Sequence, residues 1–200
     1  MAKLKKTRWY LGARHITEHA AWLVKKGNKP ASHLYKQQTI KKFAKQFGLK
    51  NLVETGTYLG EMVYAMRGKF ENIYSVELSR ELFLNARNYF RRFPQIKIYE
   101  GDSAQILPLI VRELKGPSLF WLDGHYSGGV TARGELQTPV IKELGAIIGH
   151  APEPFVILID DARCFVGKGD YPSLEEIRKF VTGLNPALRM LVENDVIRIF

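Results

Sequence analysis

The chain has a single cysteine, Cys164, among 200 residues, so no disulfide can form within it. Its basic start, MAKLKKTRWY, is not followed by the apolar core of a secretory signal. Both features fit a reducing, cytoplasmic setting. No apolar run reaches the roughly 18–20 residues that a bilayer span requires, which excludes a membrane-spanning helix. Acid is nearly missing from the first fifty residues, where Glu18 stands against thirteen Lys and Arg. The remaining 150 carry seventeen basic and nineteen acidic residues. The net charge of +10 therefore belongs to a basic N-terminal region on a nearly neutral body. Such a region serves as an arm for nucleic acid or phosphate, or is simply the solvated face of a helix.

What is present is ordinary globular material. Hydrophobic residues make up 46% and charged residues 25%, which rules out a wholly disordered chain. The length supports one core. We expect a single domain over residues 32–200, preceded by a basic segment, 1–31, in which Trp9, Tyr10, Trp22, Leu23 and Val24 are apolar enough to pack on the body or to support a homodimer. From Ser32, a natural N-cap, a helix is expected to place Ile40, Phe43, Ala44 and Phe47 on one face and to stop at Gly48.

Beyond Gly48 the pattern alternates short β-branched or aromatic runs with helical segments, the mark of a parallel sheet. Asn51–Glu54, Ile73–Leu78, Ile96–Tyr99, Ser118–Leu122 and Phe155–Ile159 read as strands. Helices are expected over Tyr58–Met66, Arg80–Arg92, Ala104–Leu114 and Thr138–Ile148. Ser173 through Glu176 forms a capping box opening a helix to about Thr182, and Leu188–Val192 and Val196–Phe200 flank the hairpin signal Glu193-Asn194-Asp195. The expected architecture is α/β: a Rossmann-like, doubly wound, seven-stranded and mostly parallel sheet with helices on both faces.

Open sheets of this kind bind ligands beyond the carboxyl ends of their strands. Here the first strand runs into Glu54-Thr55-Gly56-Thr57-Tyr58-Leu59-Gly60. The second ends at Glu77, where a carboxylate can accept both hydroxyls of a ribose. The third ends in Gly101-Asp102-Ser103, the fourth in Asp123-Gly124-His125, and the fifth in Asp160-Asp161. Turn preferences alone account for one or two such ends, not five. The first loop lacks the Gly-x-Gly-x-x-Gly spacing of dinucleotide sites. An acid at that position would repel a diphosphate and favour a cofactor carrying a cationic amino acid group.

Over about residues 32–200 these motifs resemble the class I S-adenosylmethionine-dependent methyltransferases. The resemblance implies a last strand that runs antiparallel. It places Glu54, Gly56, Thr57 and Gly60 near the methionine part of S-adenosylmethionine, Glu77 on the ribose, Asp102 and Ser103 near adenine, and Asp123 after the fourth strand at the cofactor and the chemistry. Asp123, Asp160 and Asp161 also resemble the Mg²⁺ site of catechol-type and macrocin-type O-methyltransferases, in which the metal holds adjacent substrate hydroxyls. The other reading of the trio is structural: one Asp caps the following loop, and another meets Arg163 or the basic N-terminal region. His125 has a ring suited to general-base work at neutral pH, but it lies one place earlier than in the related Asp-Gly-x-His pattern. The glycine-rich stretch 126–134 is expected to act as a lid over cofactor or substrate. His15, His19, His33 and His150 show no ligand spacing among themselves.

The reading at this stage is an enzyme that methylates an oxygen of a small hydroxylated acceptor, with Mg²⁺ at the trio as its metal. The alternatives are an RNA methyltransferase gripping nucleic acid through residues 1–50, and a non-catalytic protein that keeps the fold.

Overall fold

The computed structural model describes residues 15–24, 30–123 and 138–200. A helix over residues 15–24 (α1) precedes α2 (His33–Phe47). Then come β1 (Asn51–Thr55), α3 (Glu61–Met66), β2 (Asn72–Glu77), α4 (Arg80–Phe90), β3 (Ile96–Glu100), α5 (Ser103–Glu113) and β4 (Ser118–Leu122). The chain continues through α6 (Val140–His150), β5 (Phe155–Ile159), a short 3₁₀ turn at Ala162–Cys164, β6 (Val166–Lys168), β7 (Tyr171–Ser173), α7 (Leu174–Leu184), β8 (Met190–Glu193) and β9 (Val196–Ile199).

Seven strands form one sheet in the order β3-β2-β1-β4-β5-β9-β8. The first five are parallel, and β9 runs antiparallel to β5, as the resemblance implied. The register follows from two-sided burial. On β1, β4 and β5 every residue is buried, and alternate side chains go to opposite layers. Val53, Phe120, Leu122, Ile157 and Ile159 pack with residues of α5, α6 and α7. Leu52, Leu119, Trp121, Val156 and Leu158 pack with residues of α2, α3 and α4. A one-residue slip of any of these strands would exchange the two layers, so the strand ends are fixed relative to one another.

Local signals set the boundaries. Ser32 accepts the amide of Tyr35, and Gly48 closes α2 at φ 63°. The capping box at Ser173 and Glu176 forms in full. Asn194 and Asp195, at φ 50° and 66°, make the two-residue turn joining β8 to β9, with Glu193 opposite Val196. Two expectations are corrected. The helix expected from Tyr58 begins only at Glu61, because Tyr58 and Gly60 both have positive φ, at 47° and 71°, which a right-handed helix does not admit. The β6–β7 hairpin was not anticipated: its three-residue strands show no alternation of buried and exposed positions.

Gly60 is constrained in two ways. Its φ is left-handed, and a Cβ there would lie 2.7 Å from Cε2 of Phe90, itself buried at 2% exposure. Replacing Gly60 by Ala is expected to cost about 1–3 kcal/mol in urea unfolding, from backbone strain plus displacement of the ring. Gly68→Ala, in open space, should cost much less in the same assay.

Candidate active site at the carboxyl ends of the strands

The parallel strands bring the expected carboxylates to one edge, each stabilised differently. Glu77 ends β2 and is 6% exposed. Its Oε2 accepts the amide of Tyr58 at 2.7 Å and its Oε1 the amide of Ser79 at 2.9 Å. Glu77 therefore fixes the loop after β1, while each of its oxygens keeps a lone pair for a further donor. Gly56 (φ 87°) and Thr57 both donate their amides to the carbonyl of Val76, which draws the loop across β2.

Glu54, near the end of β1, is buried more deeply than Glu77, at 2% exposure. Burial pushes its pKa up to about 8; a bond from Ser75 Oγ at 2.5 Å opposes the rise, and the charge of Glu77 adds to it. Thr57 Oγ1 lies 2.6 Å from the same Ser75 hydroxyl. Because Ser75 donates to Glu54, Thr57 donates to Ser75, and a polar chain runs from the loop to the carboxyl. Asp102 caps α5, its Oδ1 accepting the amide of Ala104 at 2.8 Å. Ser103, the first residue of α5, is buried beside Glu143 of α6. Glu143 escaped the sequence reading because it sits within an apolar helix rather than at a strand end. Burial raises its pKa to about 7, with Ser103 and Thr55 holding it down in part.

The trio Asp123, Asp160 and Asp161 is not assembled as three ligands. Asp161 has φ 55° and pairs with Arg163 Nη1 at 2.8 Å. Asp160, with no exposed surface, receives the ammonium of Lys36 from α2. Of the structural reading, the contact with Arg163 is present at Asp161 and a contact with a basic residue of the first fifty, Lys36, at Asp160, whereas Asp161 makes no side-chain cap to the turn that follows it. An ammonium already stands against Asp160, so this donor set does not fit Mg²⁺ as it stands. The Oδ1 of Asp160 is buried without a hydrogen-bond partner among the described residues. Burial raises the pKa of Asp160 to about 6 against the pull of Lys36, and it raises that of half-buried Asp123 well above the ordinary carboxylate range, with the Asp160 charge adding to the rise. Burial works against the Lys36 charge, but attraction to Asp160, Asp123 and Asp161 outweighs it and the pKa of Lys36 rises.

Sequence reading had no signal for Lys36, one of thirteen basic residues in its region. Its position is set by its neighbour Tyr35, whose hydroxyl accepts from Arg198 at 2.7 Å and Asn194 at 2.8 Å and whose ring packs 4.7 Å from Trp22. His125 and the expected lid, 126–134, lie outside the described residues.

Removing one member of a buried ion pair strands the other. Lys36→Met is expected to lower stability by about 3 kcal/mol at neutral pH. The sign with pH follows from Asp160. Its folded pKa, already raised to about 6, rises further without the ammonium, so the unfolded chain ionises at lower pH than the folded one. The loss should therefore grow from about pH 5 to pH 8. Urea unfolding of Lys36→Met at both values tests this, and adding Asp160→Asn should restore most of the stability.

No family model matches the chain, and no curated protein does. Its fold recurs in solved structures. The Podospora anserina methyltransferase PaMTH1, bound to S-adenosylhomocysteine, aligns over 97% of this chain and 94% of its own at 18% identity and a TM-score of 0.58. An O-methyltransferase from Bacillus cereus, also with S-adenosylhomocysteine, aligns over 94% and 88% at 14% identity and 0.61. The N-methyltransferase NodS of Bradyrhizobium japonicum aligns over 82% and 92% at 11% identity and 0.53. The strand order, the antiparallel edge and the flanking helices are thus those of the Rossmann-like fold of S-adenosylmethionine-dependent methyltransferases.

Proposed function

We propose that this chain binds S-adenosylmethionine across the carboxyl ends of β1, β2 and β3 and transfers its methyl group to an oxygen of a small acceptor. The observation that carries the reading is the pairing of Glu77 with the β1 loop: a buried carboxylate holds the amides of Tyr58 and Ser79 and faces the sheet edge where a ribose would be read. Leu78, next to it in sequence, and Tyr58, whose amide it binds, are both exposed and offer apolar surface to a purine. Glu54 supplies the anion for the cofactor's amino acid end, and Asp102 and Ser103 mark the adenine side. When bound, the cofactor supplies a sulfonium methyl group, which passes to the acceptor oxygen as the carbon–sulfur bond breaks and leaves the neutral thioether. Catalysis by the chain is mainly positioning. Asp123, whose carboxyl burial and the Asp160 charge push above the ordinary carboxylate range, and Lys36 beside Asp160 are the groups proposed to orient the acceptor hydroxyl, and His125 is the candidate to take its proton.

The charge that Mg²⁺ would contribute is supplied in this proposal by the Lys36 ammonium, so added Mg²⁺ should leave turnover unchanged. The residues on which the RNA reading rests, Arg8, Trp9, Tyr10 and Arg14, lie outside the described residues; Trp22 of α1 is 8% exposed and packed against Tyr35 and His19.

Calorimetric titration with S-adenosylmethionine and S-adenosylhomocysteine tests the proposal. Micromolar binding that weakens at least about tenfold in Glu77→Ala supports it, and no binding of either compound contradicts it. The pH dependence is specific. Below about pH 8 the buried Glu54 carboxyl is protonated in the free protein, whereas the cofactor's ammonium selects its ionised form. Affinity should rise from about pH 6 and level off near pH 8, and Glu54→Gln should flatten that slope.

A further inference from the structure

Outside the strand-end site, two imidazoles and a carboxylate from three separate helices converge. His15 of α1, His33 at the start of α2 and Glu61, the residue after Gly60 that opens α3, place one ligand atom each within 4.8 Å of one another. His15 Nε2 is 3.2 Å and His33 Nε2 3.9 Å from the same atom, Glu61 Oε2. The two rings stack at a tilt, with centroids 4.4 Å apart. All three side chains are largely shielded, at 14%, 22% and 27% exposure. Among the described residues no other His, Cys, Asp and Glu side chains form such a group.

A hydrogen bond accounts for only part of this arrangement. One imidazole reaches Glu61 Oε2 at bonding distance, while the second nitrogen, at 3.9 Å, is beyond it. A single ion placed among the three would be within reach of one ligand atom from each. Around a tetrahedral Zn²⁺, ligand atoms at about 2.0–2.1 Å from the metal lie about 3.4 Å apart. The His15–Glu61 separation, 3.2 Å, is already close to that, the His33–Glu61 separation is 3.9 Å, and the two imidazole nitrogens lie within 4.8 Å of each other, so the three converge on one point with a modest inward adjustment. The donor set selects the ion: two imidazoles and one carboxylate suit zinc and its first-row neighbours, whereas Mg²⁺ prefers oxygen alone.

We propose that His15, His33 and Glu61 form a binding site for a divalent transition-metal ion of the Zn²⁺ class, with its fourth position open to water. The site does not depend on what the sheet edge binds. Its consequence is mechanical. The ion fastens α1 to the first turn of α2 and to the residue directly after the glycine loop. His33 and Lys36 lie one turn apart on α2, so the same clamp also steadies the lysine over Asp160.

The test is titration of the metal-free, untagged chain with Co²⁺, read by the visible d–d bands of a four-coordinate ion and by stoichiometry. The expected result is one Co²⁺ per chain, displaced by Zn²⁺ and not by Mg²⁺. Affinity should fall about tenfold or more in His33→Ala and in Glu61→Gln and be unchanged in the exposed-site control His150→Ala. Glu61→Gln keeps the shape of the side chain, so it decides the matter if His33→Ala does not fold by circular dichroism. Substoichiometric binding to the native chain, or binding that persists undiminished in Glu61→Gln, would show a hydrogen-bonded cluster only and overturn the proposal.

Discussion

Like charges do not gather in a protein interior unless something neutralises them, and this fold gathers them by construction. Five parallel strands in fixed register deliver their carboxyl ends to one edge, and at or just beyond those ends stand Glu54, Glu77, Asp102, Asp123 and Asp160. Glu54, Glu77 and Asp160 are buried. The rest of the structure can be read as the set of devices that make this arrangement tolerable. Glu77 is solvated by two backbone amides, Asp102 by a first-turn amide of the helix it caps, and Glu54 is accommodated by retaining its proton beside Ser75. Asp160 takes the ammonium of Lys36, and Asp161, just past the edge, takes the guanidinium of Arg163.

These devices differ in what they leave available. An amide-bound carboxylate such as Glu77 is fixed in place yet keeps a lone pair on each oxygen, so the contacts that build the loop leave it able to accept further donors. A protonated carboxyl such as Glu54 is a reserve of negative charge, released when a cation arrives. The ion pair at Asp160 is of a third kind, because its cation comes from a helix outside the wound sheet. Helix α2 is held through Tyr35 to the β8–β9 hairpin and through Lys36 to β5. The basic N-terminal region is thereby part of the site and not an appendage to it, at least through this helix.

The sequence made the scaffold legible because the scaffold is locally encoded. Ser118–Leu122 and Phe155–Ile159 are strands with the limits that their apolar runs suggest, Gly48 stops α2, and the Ser173 capping box opens α7. The carboxylates were legible through a topological rule, since strand ends in such a sheet must share an edge. What was not legible is what depends on contact across long separations. Lys36 and Asp160 are 124 positions apart, and no local feature distinguishes that lysine from its neighbours. His15 and His33 showed no ligand spacing because their common partner, Glu61, is brought to them by the tertiary fold. The acids read as a Mg²⁺ trio show the same limit: Asp160 and Asp161 are neighbours in sequence, but in the fold Asp160 meets Lys36 and Asp161, with its left-handed backbone, meets Arg163.

Whether the strand ends act together as one cofactor site is best measured by amide hydrogen exchange, read by mass spectrometry with and without saturating S-adenosylhomocysteine. The account predicts slowed exchange confined to residues 54–60, 77–79 and 101–104, the three loops that meet at Glu77. Unchanged exchange in those loops, or protection appearing only elsewhere in the chain, would contradict it.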